Sequence, residues 1–303
     1  MKPARVLITG AGGFVGGALA LGFAELGWQV LAMDRSFDER PTHPNIRAFV
    51  ADLAEGECGE IPELDVVVHA AWTTTEPATL GITEAEYEAL NILPLTTVLR
   101  YAAHLSPDAL VFVSSSGVFA ADDADEGLTD ADTPTGSSPY ATSKLRGEML
   151  ASMWGSEGLV STHVVRLGYL FGPNESARAS RQGVSLVAQW IEAARDGRPM
   201  EVRSDDPARE WTFAPDLAPA LERLVAGPSA RRPVHLGSPH VLRDSELAAC
   251  VARGVAGAEV VTVSEGAPVK PPMVPSDLPS LRDFTWTDPA TGIRSLLEAE
   301  AVA

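Results

Sequence analysis

Short apolar runs alternate with longer stretches of helical periodicity through the first two-thirds of the chain. Six runs, Arg5–Thr9, Gln29–Asp34, Ile46–Val50, Val66–His69, 109–114 and Thr162–Leu167, are apolar almost throughout. A strand covered on both faces loses the polar alternation of a half-exposed one, so these runs predict buried parallel strands. Between them, 16–26, 87–104 and Pro139–Ser156 read as helices. Strand and helix in turn predict βαβ units, hence an α/β fold: a Rossmann-type doubly wound parallel sheet.

Beyond Arg166 the pattern changes. Pro, Gly and Arg become frequent, and the helical pieces 184–194, 216–225 and 245–254 are separated by irregular connections. The expected division is a dinucleotide-binding domain over 1–167, with return segments near 209–220 and 233–238. Residues 168–303 would then form mainly a smaller C-terminal, substrate-binding lobe. The segment 121–135 is rich in Asp, Ala, Thr and Gly and reads as a solvated loop, a mobile flap or plain disorder.

Composition narrows the classes. At 303 residues and 45% hydrophobic, the chain has ample core for such a domain and lobe. A net charge of −18 disfavours nucleic acid and anionic lipid as partners, so phosphate recognition has to be local. Cys58 and Cys250 show no CxxC spacing, which argues against a disulfide framework or a zinc site. The acids between Asp122 and Asp132 lack the spacing of a calcium loop, so no metal is expected. There is no apolar run near the ~20 residues of a membrane span and no leader pattern, and the expected location is cytoplasmic.

Candidate chemistry begins at the first strand, which runs into Thr9-Gly10-Ala11-Gly12-Gly13-Phe14-Val15-Gly16. Gly10, Gly13 and Gly16 supply a tight turn, a close approach for a pyrophosphate, and close packing of the helix on the strand. The helix N-terminus offers free N–H groups to the phosphates. Asp34 ends the second strand, where a carboxylate accepts bonds from both ribose hydroxyls of NAD and repels the 2′-phosphate of NADP; Arg35 softens that choice. NAD is the expected cofactor.

The second constellation is Val113-Ser114-Ser115-Ser116 followed by Tyr140-Ala-Thr-Ser-Lys144. Tyrosine and lysine at i and i+4 share a helix face. A free phenol titrates near pH 10, so a neighbouring ammonium and a positive nicotinamide would favour phenolate and suit Tyr140 to proton transfer with an alcohol. A serine hydroxyl would orient the substrate oxygen. Three consecutive serines leave the choice of hydroxyl open on chemistry alone. Trp72, Thr73, Ser116, Tyr169 and Arg209 are candidate substrate contacts. The alternative roles are packing for Trp72 and Tyr169, and for Arg209 an ion pair with Glu210 or Asp206.

With these residues in view, the chain resembles the extended short-chain dehydrogenase/reductase superfamily, specifically its NAD-dependent epimerase/dehydratase branch, from about Val6 to about Gly237. The resemblance rests on TGAGGFVG, Asp34, Asp52-Leu53, His69-Ala70-Ala71, Asn91, SSSGVF, YATSK, Arg166-Leu-Gly-Tyr-Leu-Phe-Gly-Pro173, Arg209-Glu-Trp-Thr-Phe-Ala-Pro-Asp216 and Val234-His-Leu-Gly-Ser238. It implies that Asp52 and Leu53 meet the adenine. Ala70 and Ala71 line the cofactor with Trp72 and Val113, Asn91 supports their loop, and Leu167 and Gly168 approach the nicotinamide. It also implies Ser115 as the catalytic hydroxyl, four residues before Phe119, and a homodimer built on the helices near 87–104 and 139–156.

Two departures tilt the expected substrate. Tyr169 stands where nucleotide-sugar epimerases carry asparagine, and Ser116-Gly117 stands where sugar dehydratases carry an Asp-Glu pair. The resulting expectation is an oxidoreductase acting on a small sugar, sugar acid or polyol-like alcohol. The alternatives are an epimerase with permanently bound NAD and a non-catalytic NAD-sensing regulator. An intact Ser/Tyr/Lys set argues against the last.

Overall fold

The computed structural model describes residues 4–56, 61–230 and 232–302; Cys58 lies outside these. The first half contains β1 (Arg5–Thr9), α1 (Phe14–Glu25), β2 (Gln29–Asp34), β3 (Ile46–Val50), β4 (Val66–His69), α2 (Pro77–Leu80), α3 (Glu84–Leu105), β5 (Ala109–Ser115), α4 (Pro139–Ser156) and β6 (Thr162–Leu167). The remainder adds β7 (Tyr169–Phe171), α5 (Leu186–Arg195), β8 (Met200–Arg203), β9 (Ala208–Phe213), α6 (Leu217–Val225), β10 (Val234–His235), β11 (Val241–Arg243), α7 (Asp244–Gly254), β12 (Val260–Val263) and α8 (Pro289–Val302).

Seven strands form one parallel sheet in the order β3-β2-β1-β4-β5-β6-β10. This is the doubly wound Rossmann order, extended at one edge by β10. Its strand order reverses between β1 and β4, the position at which such sheets open a ligand crevice. On one face Leu19 and Phe23 of α1 and Leu217 and Leu221 of α6 cover Ile8, Val68 and Val111. On the other, Leu95 and Leu99 of α3 and Ala151 of α4 cover Leu7, Val67 and Phe112. Burial on both faces is what makes the inner strands β1, β2, β4 and β5 apolar almost throughout, while β3 at the edge is half-exposed.

α1 is pressed onto its strand and its neighbour by glycine. A Cβ at Gly16 would stand 2.1 Å from the Gly10 carbonyl oxygen, and one at Gly22 would stand 2.5 Å from the Ala218 Cβ of α6. The lobe holds a three-stranded sheet, β11-β9-β7, and a two-stranded parallel one, β12-β8. Trp190, Trp211, Phe171, Leu247 and Ile293 build its core.

The loop between β5 and α4 differs from the expected solvated flap. Leu128 is fully buried and exchanges backbone bonds with Pro272 (2.9 Å) and Val274 (2.7 Å). The Asp130 carboxylate accepts from the Ser276 hydroxyl and the His235 amide, and Asp123 accepts from the Ala120 and Thr135 amides. The acids that made this segment read as solvated are fastening it. Among the described residues no helix is long and apolar enough to cross a membrane, and Cys250 is free.

Candidate active site

A cleft of about 540 Å³ opens at the carboxyl ends of β1, β2, β4, β5 and β6. Gly10, with φ +74°, turns the chain into α1, and Gly13 caps that helix with no side-chain partner, leaving first-turn N–H groups free. The Asp34 carboxylate at the end of β2 accepts from the Gly12 amide (2.9 Å) and the Ser36 amide (3.2 Å). These bonds place a negative charge beside the glycine turn.

Gly10, Gly13, Phe14, Val15, Gly16, Asp34, Arg35, Asp52, Leu53, Ala70, Ala71, Trp72, Thr73, Asn91, Val113, Ser115, Tyr140, Lys144, Leu167, Gly168, Tyr169 and Arg209 all line the cleft. Ser116 does not. It is buried in the 3-10 turn that follows β5, so its expected substrate contact is withdrawn. Asn91 accepts from the Thr73 amide (2.7 Å), and the Tyr87 hydroxyl donates to the Thr73 carbonyl (2.5 Å), which fixes the loop after β4.

The three serines have separate fates. Ser114 donates to the buried Glu148 carboxylate (2.6 Å), itself gripped bidentately by Arg166 at 2.9 and 2.7 Å. Ser115 is the serine that acts on Tyr140: its hydroxyl accepts from the Gly117 amide (3.0 Å) and favours the ionised phenol, and both residues line the cleft. Tyr140 opens α4 just after Ser138, the N-cap whose hydroxyl accepts from the Ala141 amide, and Pro139 in the first turn. The Tyr140 ring lies against Gly117, where a Cβ would come within 2.8 Å of it.

The charge environment of the phenol departs from expectation. Burial pushes Tyr140 up to about 12, opposed by the Ser115 hydroxyl and the charge of Arg181. Lys144 is not among the groups that lower it. Its ammonium donates to the Val113 carbonyl (2.7 Å) and lies 4.1 Å from the Trp72 ring centre, and burial brings it down to about 7 against the opposing pull of Glu148. Spacing along α4 puts Tyr140 and Lys144 on one face, but the Val113 carbonyl and the Trp72 ring claim the ammonium.

The alternatives for three residues resolve by contact. Trp72 packs edge-on against Phe112 (5.5 Å) and over Lys144, beneath α4 rather than beneath the 121–135 loop. Tyr169 is half-buried between the Arg209 guanidinium (4.6 Å) and the Lys270 ammonium (5.1 Å). Arg209 is paired bidentately with Asp244 at 2.8 and 3.1 Å, not with Glu210 or Asp206; Glu210 pairs with Lys270 instead (2.8 Å).

Sequence reasoning missed Arg178 and Arg181, which enter the cleft from the segment between β7 and α5. That segment has no periodicity, and the contacts that aim its arginines come from Ser36, Thr74 and Thr75, distant in sequence.

The chain belongs to the NAD dependent epimerase/dehydratase family, whose model matches residues 6–237. It is 24% identical over 243 residues to the trifunctional UDP-glucose 4,6-dehydratase/UDP-4-keto-6-deoxy-D-glucose 3,5-epimerase/UDP-4-keto-L-rhamnose-reductase RHM3 of Arabidopsis thaliana, a match over 74% of this chain and 35% of that protein. It is 27% identical over 205 residues to 2-alkyl-3-oxoalkanoate reductase of Stenotrophomonas maltophilia, over 64% of this chain and 57% of that one. The chain thus spans about a third to a little over half the length of these curated relatives. DesIV, a dTDP-glucose 4,6-dehydratase from Streptomyces venezuelae solved with NAD bound, shares the fold with a TM-score of 0.81 at 19% identity, covering 98% of this chain and 97% of that one.

NAD is the cofactor of this family, and the residues fit it. Gly12 and Gly13 leave the turn without side chains, α1 presents uncapped N–H groups, and Asp34 supplies the acid expected opposite a ribose.

Proposed function

We propose that this chain is an NAD-dependent oxidoreductase that moves hydride between the dinucleotide and a secondary alcohol or ketone of a small sugar, sugar acid or polyol-like substrate. The observation that carries the reading is the convergence of Ser115, Tyr140 and Lys144 in the same cleft as the glycine turn and Asp34. NAD, when bound, accepts or returns the hydride. Tyr140 moves the hydroxyl proton as general acid/base, and Ser115 holds the substrate oxygen against it. With its phenol held up to about 12, Tyr140 is protonated at neutral pH and ready to serve as the acid in reduction. Oxidation requires the opposite form, which the Arg181 charge and the Ser115 hydroxyl favour.

The substrate side supports a small ligand. Tyr169 lies against two cations in the wall, and two nitrogens of Arg209 are taken by Asp244, so this arginine is not free to hold a substrate diphosphate. A relative named as a 2-alkyl-3-oxoalkanoate reductase accords with reduction of a carbonyl compound that is not a nucleotide sugar. The test is an NADH absorbance screen over sugar acids, polyols and nucleotide sugars, run beside Tyr140→Phe. The variant should lose more than ~100-fold in turnover while keeping NAD affinity, and full activity would refute the mechanism.

A second reading, an epimerase with permanently bound NAD, is favoured by one observation: the chain 178–181 spans the sheet edge from Thr74 and Thr75 to Ser36. NAD surviving dialysis without net NADH production would select it. A homodimer belongs to the same proposal. It rests on Leu93 of α3 and on Met149 and Met153 of α4, which expose 51%, 72% and 54% of their surface. Light scattering at the mass of two chains is the expected result. A cytoplasmic location goes with this reading, since NAD is drawn from the cytoplasmic pool.

A further inference from the structure

Between β7 and α5 the chain forms a tight hairpin in which Arg178 and Arg181 exchange backbone hydrogen bonds at 2.8 Å. Its turn is fastened on one side by the Thr74 and Thr75 amides and hydroxyls, which donate to the Ser180 and Ala179 carbonyls. On the other side Arg178 donates to the Ser36 carbonyl (3.0 Å) and hydroxyl (3.1 Å). Thr74 follows β4 and Ser36 follows β2, and β1 lies between those strands in the sheet. The hairpin therefore crosses above the glycine turn. An Arg178 nitrogen lies 2.8 Å from where a Gly12 Cβ would be, and the Arg181 guanidinium lies 5.1 Å from the centre of the Phe14 ring.

This placement runs against helix electrostatics. A helix N-terminus favours acids and repels cations, yet the first turn of α1 has no acid and two guanidiniums hang over it. Arg178 is balanced by Asp34 and Asp38 at 3.8 and 3.7 Å. Arg181 is balanced on one side only. Glu175, buried and bonded to the Ser185 amide and hydroxyl, takes one of its terminal nitrogens, while the other, Nη1, is buried without a partner. Glu175 aims the fork and leaves one prong unused.

We propose that the 178–181 hairpin is a second arm of the phosphate site, in which Arg181 and the N-terminus of α1 together grip the pyrophosphate of the dinucleotide. The inference rests on the NAD reading above. It makes the site a two-sided clamp, with backbone N–H groups from the sheet edge and a guanidinium from the lobe. The Arg178–Ser36 bonds keep that clamp shut.

The test measures binding rather than turnover. Calorimetric titration with NAD, ADP-ribose and phosphate-free adenosine is made on the wild type, Arg181→Met and Arg181→Lys. Arg181→Met keeps the apolar stem over Phe14 but removes the charge. It should weaken NAD and ADP-ribose by about tenfold or more, leave adenosine unchanged and flatten the salt dependence of NAD binding. Arg181→Lys should recover most of the loss; if the Met variant does not fold, a Lys variant with a smaller loss confined to the phosphate-bearing ligands carries the test. Wild-type NAD affinity in Arg181→Met, or equal weakening of NAD and adenosine, overturns the proposal. Failure of the wild type to bind NAD at all would instead overturn the reading on which it rests.

Discussion

The ammonium of Lys144 lies 4.1 Å from the centre of the Trp72 ring while donating to the Val113 carbonyl. A desolvated ammonium is held by that π face, and the indole in turn fills space beside Phe112 and Gly147. Trp72→Leu should destabilise the protein by about 2 kcal/mol in urea unfolding, and Trp72→Phe, which keeps a ring, by clearly less. Equal losses would show that the ring face does not matter.

Ser115 favours the phenolate of Tyr140. Removing its hydroxyl raises the phenol further, so Ser115→Ala should move the rising limb of the oxidation pH–rate profile to higher pH. It should also lower turnover about 10- to 100-fold. An unshifted limb contradicts the assignment.

Gly117 is the floor under the Tyr140 ring. A methyl group there meets the ring at 2.8 Å and the Ser115 hydroxyl at 3.4 Å. Gly117→Ala should reduce kcat at least about tenfold by displacing the phenol, with NAD affinity unchanged. Steady-state kinetics and calorimetry on one preparation separate the two effects.

Arg166, Glu148 and Ser114 form a buried network beneath the site, with the ion-paired side chains 4% and 6% exposed. Arg166→Met strands a buried carboxylate and should cost about 3 kcal/mol. Adding Glu148→Leu should restore more than half of it, because an apolar pair needs no compensation. A double variant less stable than the single would rule this out.

His69 is buried with its Nδ1 2.8 Å from the Thr9 hydroxyl, and burial, then the Lys144 charge, lower it to about 3. The unfolded chain takes up this proton near pH 6.5 and the folded one near 3, so the unfolded state binds more protons in between. Stability should fall as pH drops through that window, by on the order of 1 kcal/mol per unit from this residue. In His69→Asn that contribution disappears, so the stability gap to wild type in urea should narrow from pH 7 to pH 4.5. A constant gap would show that His69 does not titrate as described.

The inner strands of the main sheet were legible because they are apolar and buried on both faces, and the half-exposed edge strand β3 because it is still mostly apolar; only β5 runs one residue further than expected, to Ser115. α1 begins two residues before its expected start, since Gly13 caps it without a side-chain signal. α3 begins at Glu84 because Thr83 and Glu86 form a reciprocal cap, a pattern present in the sequence but outside the apolar stripe. The lobe was read as irregular because its strands are three to six residues long and several alternate in exposure. Partners escaped for a different reason. Asp244 is 35 residues from Arg209 and Lys270 is 60 from Glu210, and no local pattern records such pairings.

The bonds between Leu128 and Val274, and between Asp130 and Ser276, also order events during synthesis. The loop that follows Ser115 cannot settle until residues some 145 positions later have emerged. A nascent chain therefore cannot seal the corner beside Ser115 until the stretch around 272–276 is free to pair with Leu128 and Asp130.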